Sequence, residues 1–377
     1  MKIGIVCPYD IFRGGGVQEV VLELQKELTK RGHNSKIITP LHRDHKQSTH
    51  KDIIFIGAST DVKSPFHTTA QVSVSLNVEE IKSMLEREKF DVLNFHEPWV
   101  PIMSRQLLVK SKCVNVATFH AKLPETIMSK TIEKVITPYT KSVLKYLDEL
   151  TAVSDAAAVY VRSLTRQPIT IIPNGINLTN YKNNNNKTQA KDTNQKTILY
   201  IGRLEKRKGV KYLIKAFGLM QKEDSNLKLI IAGCGPDRQK LEDQVKNNRI
   251  SNVSFVGYVS ELQKLILLEK ADLFCSPALY GESFGIVLLE AMAKGIVTIA
   301  GNNSGYTSVL KEMGEISIIN PKDTAEFARR LHLLLYDEHL RDLWQKWAKD
   351  YVKQFSYPKI IDQYEALYVK ALKSSQR

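Results

Sequence analysis

The sequence predicts an α/β protein of two successive domains, each a doubly wound, mainly parallel sheet. Three observations predict it. Short apolar runs alternate with amphipathic helical stretches along the chain, the strand–helix–strand pattern of parallel α/β units. Several of the runs are continuous Ile/Val segments, which suits strands buried on both faces. The pattern breaks once, at Lys182–Lys196 (KNNNNKTQAKDTNQK), a stretch with no apolar residue larger than alanine, and then restarts. A chain of 377 residues is long enough to give each domain its own core.

Taken in order, the first domain, residues 1–180, has strands at Lys2–Cys7, Asn34–Thr39, Asp52–Ile56, Val92–His96, Asn115–Phe119, Glu149–Ala152 and Ile169–Ile172. Its first helix, Val17–Arg31, repeats apolar residues at Val20, Val21, Leu24 and Leu28 and stops at Gly32. The second domain, 181–357, has strands at Thr197–Ile201, Leu227–Ala232, Val253–Phe255, Leu273–Ser276, Val297–Ala300 and Ile316–Ile319. The last stretch, within 358–377, reads as a helix over Lys359–Lys373. Its apolar face (Ile360, Ile361, Tyr364, Leu367, Tyr368, Leu372) suits it to pack back on a domain, here assigned to the first.

Composition narrows the function classes. With 54 basic and 40 acidic residues the net charge is +14, which calls for an anionic partner: nucleic acid, anionic membrane or a phosphorylated substrate. Aromatic-rich basic patches and nucleic-acid reader motifs are missing, so nucleic acid is not expected. Cys7, Cys113, Cys234 and Cys275 form no C-x-x-C pair, which argues against a zinc or redox centre and fits a reduced, cytoplasmic protein. The apolar run at the N-terminus is too short for a signal peptide, and no run reaches membrane-spanning length, so membrane contact is expected to be peripheral.

Three segments carry chemistry. Arg13-Gly14-Gly15-Gly16-Val17-Gln18 joins the first strand to the first helix, where backbone N–H groups can meet a phosphate at the positive helix end. It is not G-x-G-x-x-G, and the second strand ends Ile38-Thr39-Pro40 without an acid for a ribose, which argues against a nicotinamide or flavin enzyme. The bland alternative is a flexible loop. Past the strand Leu199–Ile201, Arg203 and Lys208 can grip a diphosphate, against the alternative of a solvated basic loop. The strongest signal is Gly281-Glu282-Ser283-Phe284-Gly285-Ile286, read as a helix start, with Glu290 eight positions on. On one regular helix, two turns would stack both carboxylates on one face. An acid at Glu290 amid Ile286, Leu289 and Met292 needs donors, from ribose hydroxyls or from a structural ion pair.

The spacing Glu282–Glu290 inside Gly-Glu-Ser-Phe-Gly resembles the E-x7-E signature of retaining glycosyltransferases of family 4 and group 1. So, in order, do Gly14–Gln18, Asn94-Phe95-His96-Glu97-Pro98-Trp99, Thr118-Phe119-His120-Ala121, Pro173-Asn174-Gly175 and Gly202-Arg203 with Arg207-Lys208-Gly209. The phosphatidyl-myo-inositol mannosyltransferases are the subset most similar in look. The resemblance implies the GT-B fold, two Rossmann-like domains facing across a cleft. It implies hexosyl transfer from a nucleotide-sugar to a lipid or polysaccharide-precursor acceptor, with retention and without a metal or other cofactor. GDP-mannose is the first donor expected, then UDP-glucose or UDP-galactose. Donor contacts would come from Gly15, Gly16, Lys264, Glu282, Ser283, Phe284, Gly285, Ile286 and Glu290. Arg203 and Lys208 would neutralise the leaving diphosphate, His120 would sit by the reacting carbon, and Tyr9 and Gln18 would face the acceptor. Consistent with metal independence, the chain contains no Asp-X-Asp.

Two departures weaken transfer of finer detail. Asn302–Ser308 lacks the acid many relatives carry in the corresponding turn, and the helix Glu79–Lys89 mixes charge signs where that subset has a basic cluster. A different stripe, Lys130, Lys134, Lys141 and Lys145, recurs at helical spacing opposite an apolar face and suits an anionic membrane at the inner face of the plasma membrane. Pro138 within it is expected to start a second helix after Thr137. The competing functions are a sugar-nucleotide epimerase of the same fold, a phosphorylase, and a non-catalytic partner subunit. The last is disfavoured because Arg203, Lys208 and Glu282 are all present.

Overall fold

The structure is a computed structural model and describes residues 1–42, 50–63, 69–74, 77–122, 127–181 and 195–375; residues 182–194 of the expected linker lie outside it. The chain divides into two units. Unit 1 is Met1–Gly175 with Tyr357–Arg377, and unit 2 is Ile176–Ser356. The boundary thus falls at 175 rather than 180. Ile176 pairs with Ser356, and Tyr181 bonds Glu290, so the intervening residues are held by unit 2.

Unit 1 runs β1 (Lys2–Val6), α1 (Gly16–Lys30), β2 (Asn34–His42), β3 (Ile53–Lys63), β4 (Thr69–Val74), α2 (Val78–Glu88), β5 (Val92–His96), α3 (Met103–Lys110), β6 (Val114–Phe119), α4 (Ile127–Leu144), β7 (Glu149–Ala152), α5 (Asp155–Arg162) and β8 (Ile169–Ile171). The sheet order is β4-β3-β2-β1-β5-β6-β7-β8, parallel except that β4 runs antiparallel to β3. The sequence reading missed β4, whose alternation of Ala70, Val72 and Val74 with polar residues is the period-two signal of an antiparallel strand. It also stopped the second strand at Thr39. Pro40 removes a ladder donor, yet β2 continues past it because the register against β3 shifts between Thr39 and Leu41. Pro138 does not begin a new helix: α4 is continuous through it.

Unit 2 runs β9 (Lys196–Ile201), α6 (Val210–Met220), β10 (Leu227–Ala232), α7 (Arg238–Asn247), β11 (Val253–Gly257), α8 (Glu261–Lys270), β12 (Leu273–Ser276), α9 (Ile286–Ala293), β13 (Val297–Gly301), α10 (Ser304–Val309), β14 (Ile318–Ile319), α11 (Thr324–Tyr336) and α12 (Glu338–Tyr351). The all-parallel order is β11-β10-β9-β12-β13-β14. The expected strand at Ile316–Ile319 shortens to two residues, since 312–317 form a 3-10 turn.

The terminal helix α13 (Tyr357–Ser375) returns to unit 1. Its buried Ile360, Ile361, Tyr364 and Tyr368 join Ile3, Ile5, Val21, Leu24 and Leu28 in one apolar cluster. Arg31 fixes its start, donating to Asp362 and Glu365 at 2.6 and 2.7 Å. In each sheet the strand order reverses once, between β1 and β5 and between β9 and β12. Loops at the carboxyl ends of strands flanking such a switch point are where open α/β sheets bind ligands. The segments singled out from sequence lie on these loops.

Candidate functional site

In unit 1, Tyr9 follows β1. Its backbone carbonyl accepts from Thr39 Oγ1 at 2.6 Å, and burial, then the nearby Glu97 charge, push its phenol well above the ordinary range. Gly15 caps α1, whose backbone bonding opens with Glu19 N–H to the Gly15 carbonyl at 3.0 Å. A Cβ on Gly15 would lie 2.5 Å from Gln18 Oε1, so a side chain there would displace the buried Gln18 amide. Gly16 faces open space, and α1 has no side-chain cap. Its first N–H groups are therefore available to an anion.

His120 lies just past β6, with His96 Nδ1 2.7 Å from its Nε2. Burial lowers both imidazoles, His120 to about 3, so both are neutral. Glu97, in a left-handed conformation at φ 50°, turns its carboxylate onto the β6 end. It accepts from the backbone N–H of His120, from that of Ala121 at 2.7 Å, and from the Trp99 indole. Burial outweighs these bonds and raises its pKa to about 7. His96 and Glu97 stood in a segment noticed for its resemblance, but sequence reasoning gave them no role. Nothing in the local pattern says that two strand-end rings from different strands will meet.

In unit 2 the loop after β9 folds onto the loop after β12. The Leu279 N–H donates to the Arg207 carbonyl at 2.8 Å, and a Cβ on Gly209 (φ 71°) would strike the Pro277 carbonyl at 2.1 Å. This contact builds an ion network. Arg207 Nη1 and Lys208 Nζ reach the same Glu282 oxygen, Oε1, at 2.7 and 2.8 Å, while Arg207 Nε lies 2.7 Å from Glu205. Arg207 Nη1 also donates to the Gly281 carbonyl at 3.0 Å. Arg203 is exposed, its carbonyl accepting from Tyr200 at 2.8 Å.

The shared-face reading of Glu282 and Glu290 is corrected. Helix α9 begins only at Ile286, after Gly285 (φ 109°), so Glu282 lies in the preceding loop and the two acids belong to separate clusters. Glycine at 281 (φ 76°) and at 285 supplies left-handed turns that a helix would not contain, and a Cβ on Gly285 would meet the Tyr306 ring at 2.7 Å. Glu290 instead accepts from Lys264 at 2.6 Å and from Tyr181 at 2.9 Å, all three buried. Desolvation alone would lower the Lys264 pKa, but the Glu290 and Glu261 carboxylates raise it. Phe284 is buried against Phe355, rings 5.9 Å apart, while Ser283 is half-buried and Ile286 opens an uncapped α9.

The turn without the expected acid has a packing role. Asn303 caps α10 by accepting from Tyr306 N–H and donates to the Ala278 carbonyl at 2.9 Å, and Gly305 packs against the Glu282 backbone. Arg207, Glu205 and Tyr181 were missed. Arg207 sat inside a basic run read for its neighbours, and Tyr181 at a presumed domain edge. Lys134, Lys141 and Lys145 are exposed, with Lys145 one residue past α4, while the side chain of Lys130 lies outside the described residues. Among the described residues no helix is long and apolar enough to cross a membrane.

Comparison with known proteins also divides the chain in two, with the break at 180–182. The profile of Glycosyltransferase Family 4 matches residues 14–180, and that of Glycosyl transferases group 1 matches residues 182–351. The chain is 29% identical to phosphatidyl-myo-inositol mannosyltransferase of Mycobacterium leprae, over 98% of this chain and 96% of that one. It is 26% identical to N-acetyl-alpha-D-glucosaminyl L-malate synthase of Bacillus anthracis, over 100% and 98%. Sucrose-phosphate synthase from Thermosynechococcus elongatus superposes with a TM-score of 0.78 at 20% identity over 99% of both chains. Anabaena HepE in complex with UDP and glucose gives 0.77 at 17% identity, over 98% of this chain and all of that one. The shared architecture is the GT-B fold.

Proposed function

We propose that this chain, which belongs to the glycosyltransferases of family 4 and group 1, moves a mannosyl group from GDP-mannose to an inositol-bearing membrane lipid with retention of configuration. The observation that carries the reading is the network of Glu205, Arg207, Lys208 and Glu282 at the β9/β12 switch point. It holds cations beside an acid whose Oε1 takes both of them, leaving Oε2 to meet sugar hydroxyls. When the nucleoside diphosphate leaves, negative charge grows on its β-phosphate. On unit 2, Arg203, Lys208 and the uncapped end of α9 stabilise that charge without a metal. Glu290, paired with Lys264 at 2.6 Å, would accept from the ribose hydroxyls, with Lys264 toward the base. On unit 2, Ser283, Phe284, Gly285 and Ile286 flank the donor's sugar and phosphate; on unit 1, Gly15 and Gly16 offer backbone N–H groups to an anion, and Tyr9, Gln18 and His120 suit hydroxyl-bearing ligands. The leaving phosphate takes the acceptor's proton as the new glycosidic bond forms on the same face, so no protein carboxylate becomes a covalent nucleophile.

The donor is tested by thermal-shift titration with GDP-mannose, UDP-glucose, UDP-galactose, UDP-N-acetylglucosamine and ADP-glucose. A donor at about 100 times its dissociation constant stabilises the fold by about 2.7 kcal/mol. A UDP-sugar that stabilises while GDP-mannose does not would reassign the donor. Transfer is tested with radiolabelled mannose and phosphatidylinositol vesicles. Release of an epimer without acceptor would favour the epimerase reading instead.

A further inference from the structure

The imidazoles of His96 and His120 meet where β5 and β6 end. Their facing nitrogens, His96 Nδ1 and His120 Nε2, are 2.7 Å apart, and the rings lie 23° from parallel with centroids 5.0 Å apart. His96 is completely buried, while His120 keeps 7% of its surface exposed. One facing nitrogen carries the proton, and the distance does not say which.

The far nitrogen of His96 decides it. His96 Nε2 is buried and has no hydrogen-bond partner among the described residues. If His120 were the donor, His96 would have to be the Nε2–H tautomer and bury an N–H with no acceptor. If His96 donates from Nδ1, only a lone pair at Nε2 goes unmatched. Orphaned buried N–H donors are the rarer of the two. A doubly protonated His96 is ruled out by its burial and by the adjacent ring, both of which favour the neutral form. The neighbouring acid does not intervene. Glu97 directs its oxygens to the backbone N–H groups of His120 and Ala121 and to the Trp99 indole, not to either imidazole.

We infer that His96 is a positioning residue: by donating Nδ1–H to His120 Nε2 it fixes His120 as the Nδ1–H tautomer, so that His120 meets its ligand as a hydrogen-bond donor. The identity of that ligand, a hydroxyl-bearing sugar or acceptor, rests on the glycosyl-transfer reading; the tautomer does not. The consequence is chemical. With Nε2 occupied by His96 and Nδ1 protonated, neutral His120 has no lone pair with which to take a proton. A general base oriented by a carboxylate would present the opposite arrangement.

Long-range proton–nitrogen NMR on protein labelled with ring nitrogen-15, at neutral pH, reads the tautomers directly. The expected result is a protonated, pyrrole-type Nδ1 and a bare Nε2 on both His96 and His120; a protonated Nε2 on His120 would overturn the proposal. His96→Asn retains an amide N–H near the position of Nδ1, and should keep the His120 tautomer and kcat/KM for transfer from GDP-mannose within about threefold. His96→Leu keeps bulk but no donor. It should leave His120 a tautomer mixture and lower kcat/KM by about tenfold, the size of one lost hydrogen bond. A folded Leu variant with unchanged tautomer and rate also overturns it. Should the Leu variant not fold, the wild-type and Asn spectra still decide. Should no donor be turned over by the wild type, the functional reading fails while the spectra still test the tautomer.

Discussion

In unit 1 two imidazoles at the strand ends are buried and neutral, whereas in unit 2 the side chains around the switch point form ion pairs. His96 and His120 are held uncharged, and beneath them a buried row of neutral groups crosses the sheet. Asn94 accepts from Thr118 at 2.9 Å and donates to Tyr368 on α13 at 2.8 Å, and Thr151 donates to Thr118 at 3.0 Å. Unit 2 instead sets Arg207 and Lys208 on Glu282, and Lys264 on Glu290. One doubly wound scaffold thus carries two kinds of switch-point chemistry. Paired charges can exchange partners with an ionic ligand, while neutral rings and hydroxyls suit an uncharged one.

The contrast can be broken at several points. The largest expected effect is Glu282→Ala, which removes the partner of two cations and should lower transfer by at least about 100-fold, the scale of losing a positioned charged hydrogen bond, while circular dichroism stays unchanged. Near-normal turnover would refute the assigned site. Next is Arg207→Ala. Glu205 is buried, and stripping a buried acid of its cation costs about 3 kcal/mol, read as a fall in urea midpoint. Lys208→Ala should spare stability and weaken GDP binding about tenfold by calorimetry, separating the structural cation from the ligand cation. If both variants lose stability equally, that separation fails.

Unit 1 should respond to pH instead. The Glu97 pKa is raised to about 7, so the folded state holds its proton where the unfolded chain has released it. Its contribution is fully present below the ordinary carboxylate range and is lost as pH rises through about 7. Unfolding free energy of the wild type minus that of Glu97→Gln should therefore fall between pH 5 and 8; a flat difference would show that Glu97 stays ionised throughout. The smallest effect is expected from Lys134→Glu, Lys141→Glu and Lys145→Glu combined, which should reduce pelleting with anionic vesicles if this exposed stripe docks on membrane. Unchanged pelleting would remove α4 from the docking surface.

Much of this organisation was legible in the sequence because it is local. Ile/Val runs announce parallel strands, and the periodicity of Val20, Val21, Leu24 and Leu28 announces α1. The glycines at 281 and 285 mark the Glu282 segment as special, but spacing alone suggests a helix start there, whereas their left-handed φ values place the acid in the loop before the helix. β4 was passed over because its alternating pattern is short and polar on one face. Arg207 and Tyr181 escaped notice because their importance comes from partners 75 and 109 positions away.

What the sequence determined by itself was the set of parallel strands, the two-sheet organisation and the loops that carry charged or glycine-rich motifs, since backbone geometry and burial leave their periodicity in neighbouring residues. What only the tertiary structure decided was pairing: that Glu282 belongs with Arg207 and Lys208, Glu290 with Lys264 and Tyr181, and His96 with His120. An ion pair or a tautomer depends on distances of about 3 Å between residues far apart in the chain, and strand order, not spacing along the sequence, sets those distances.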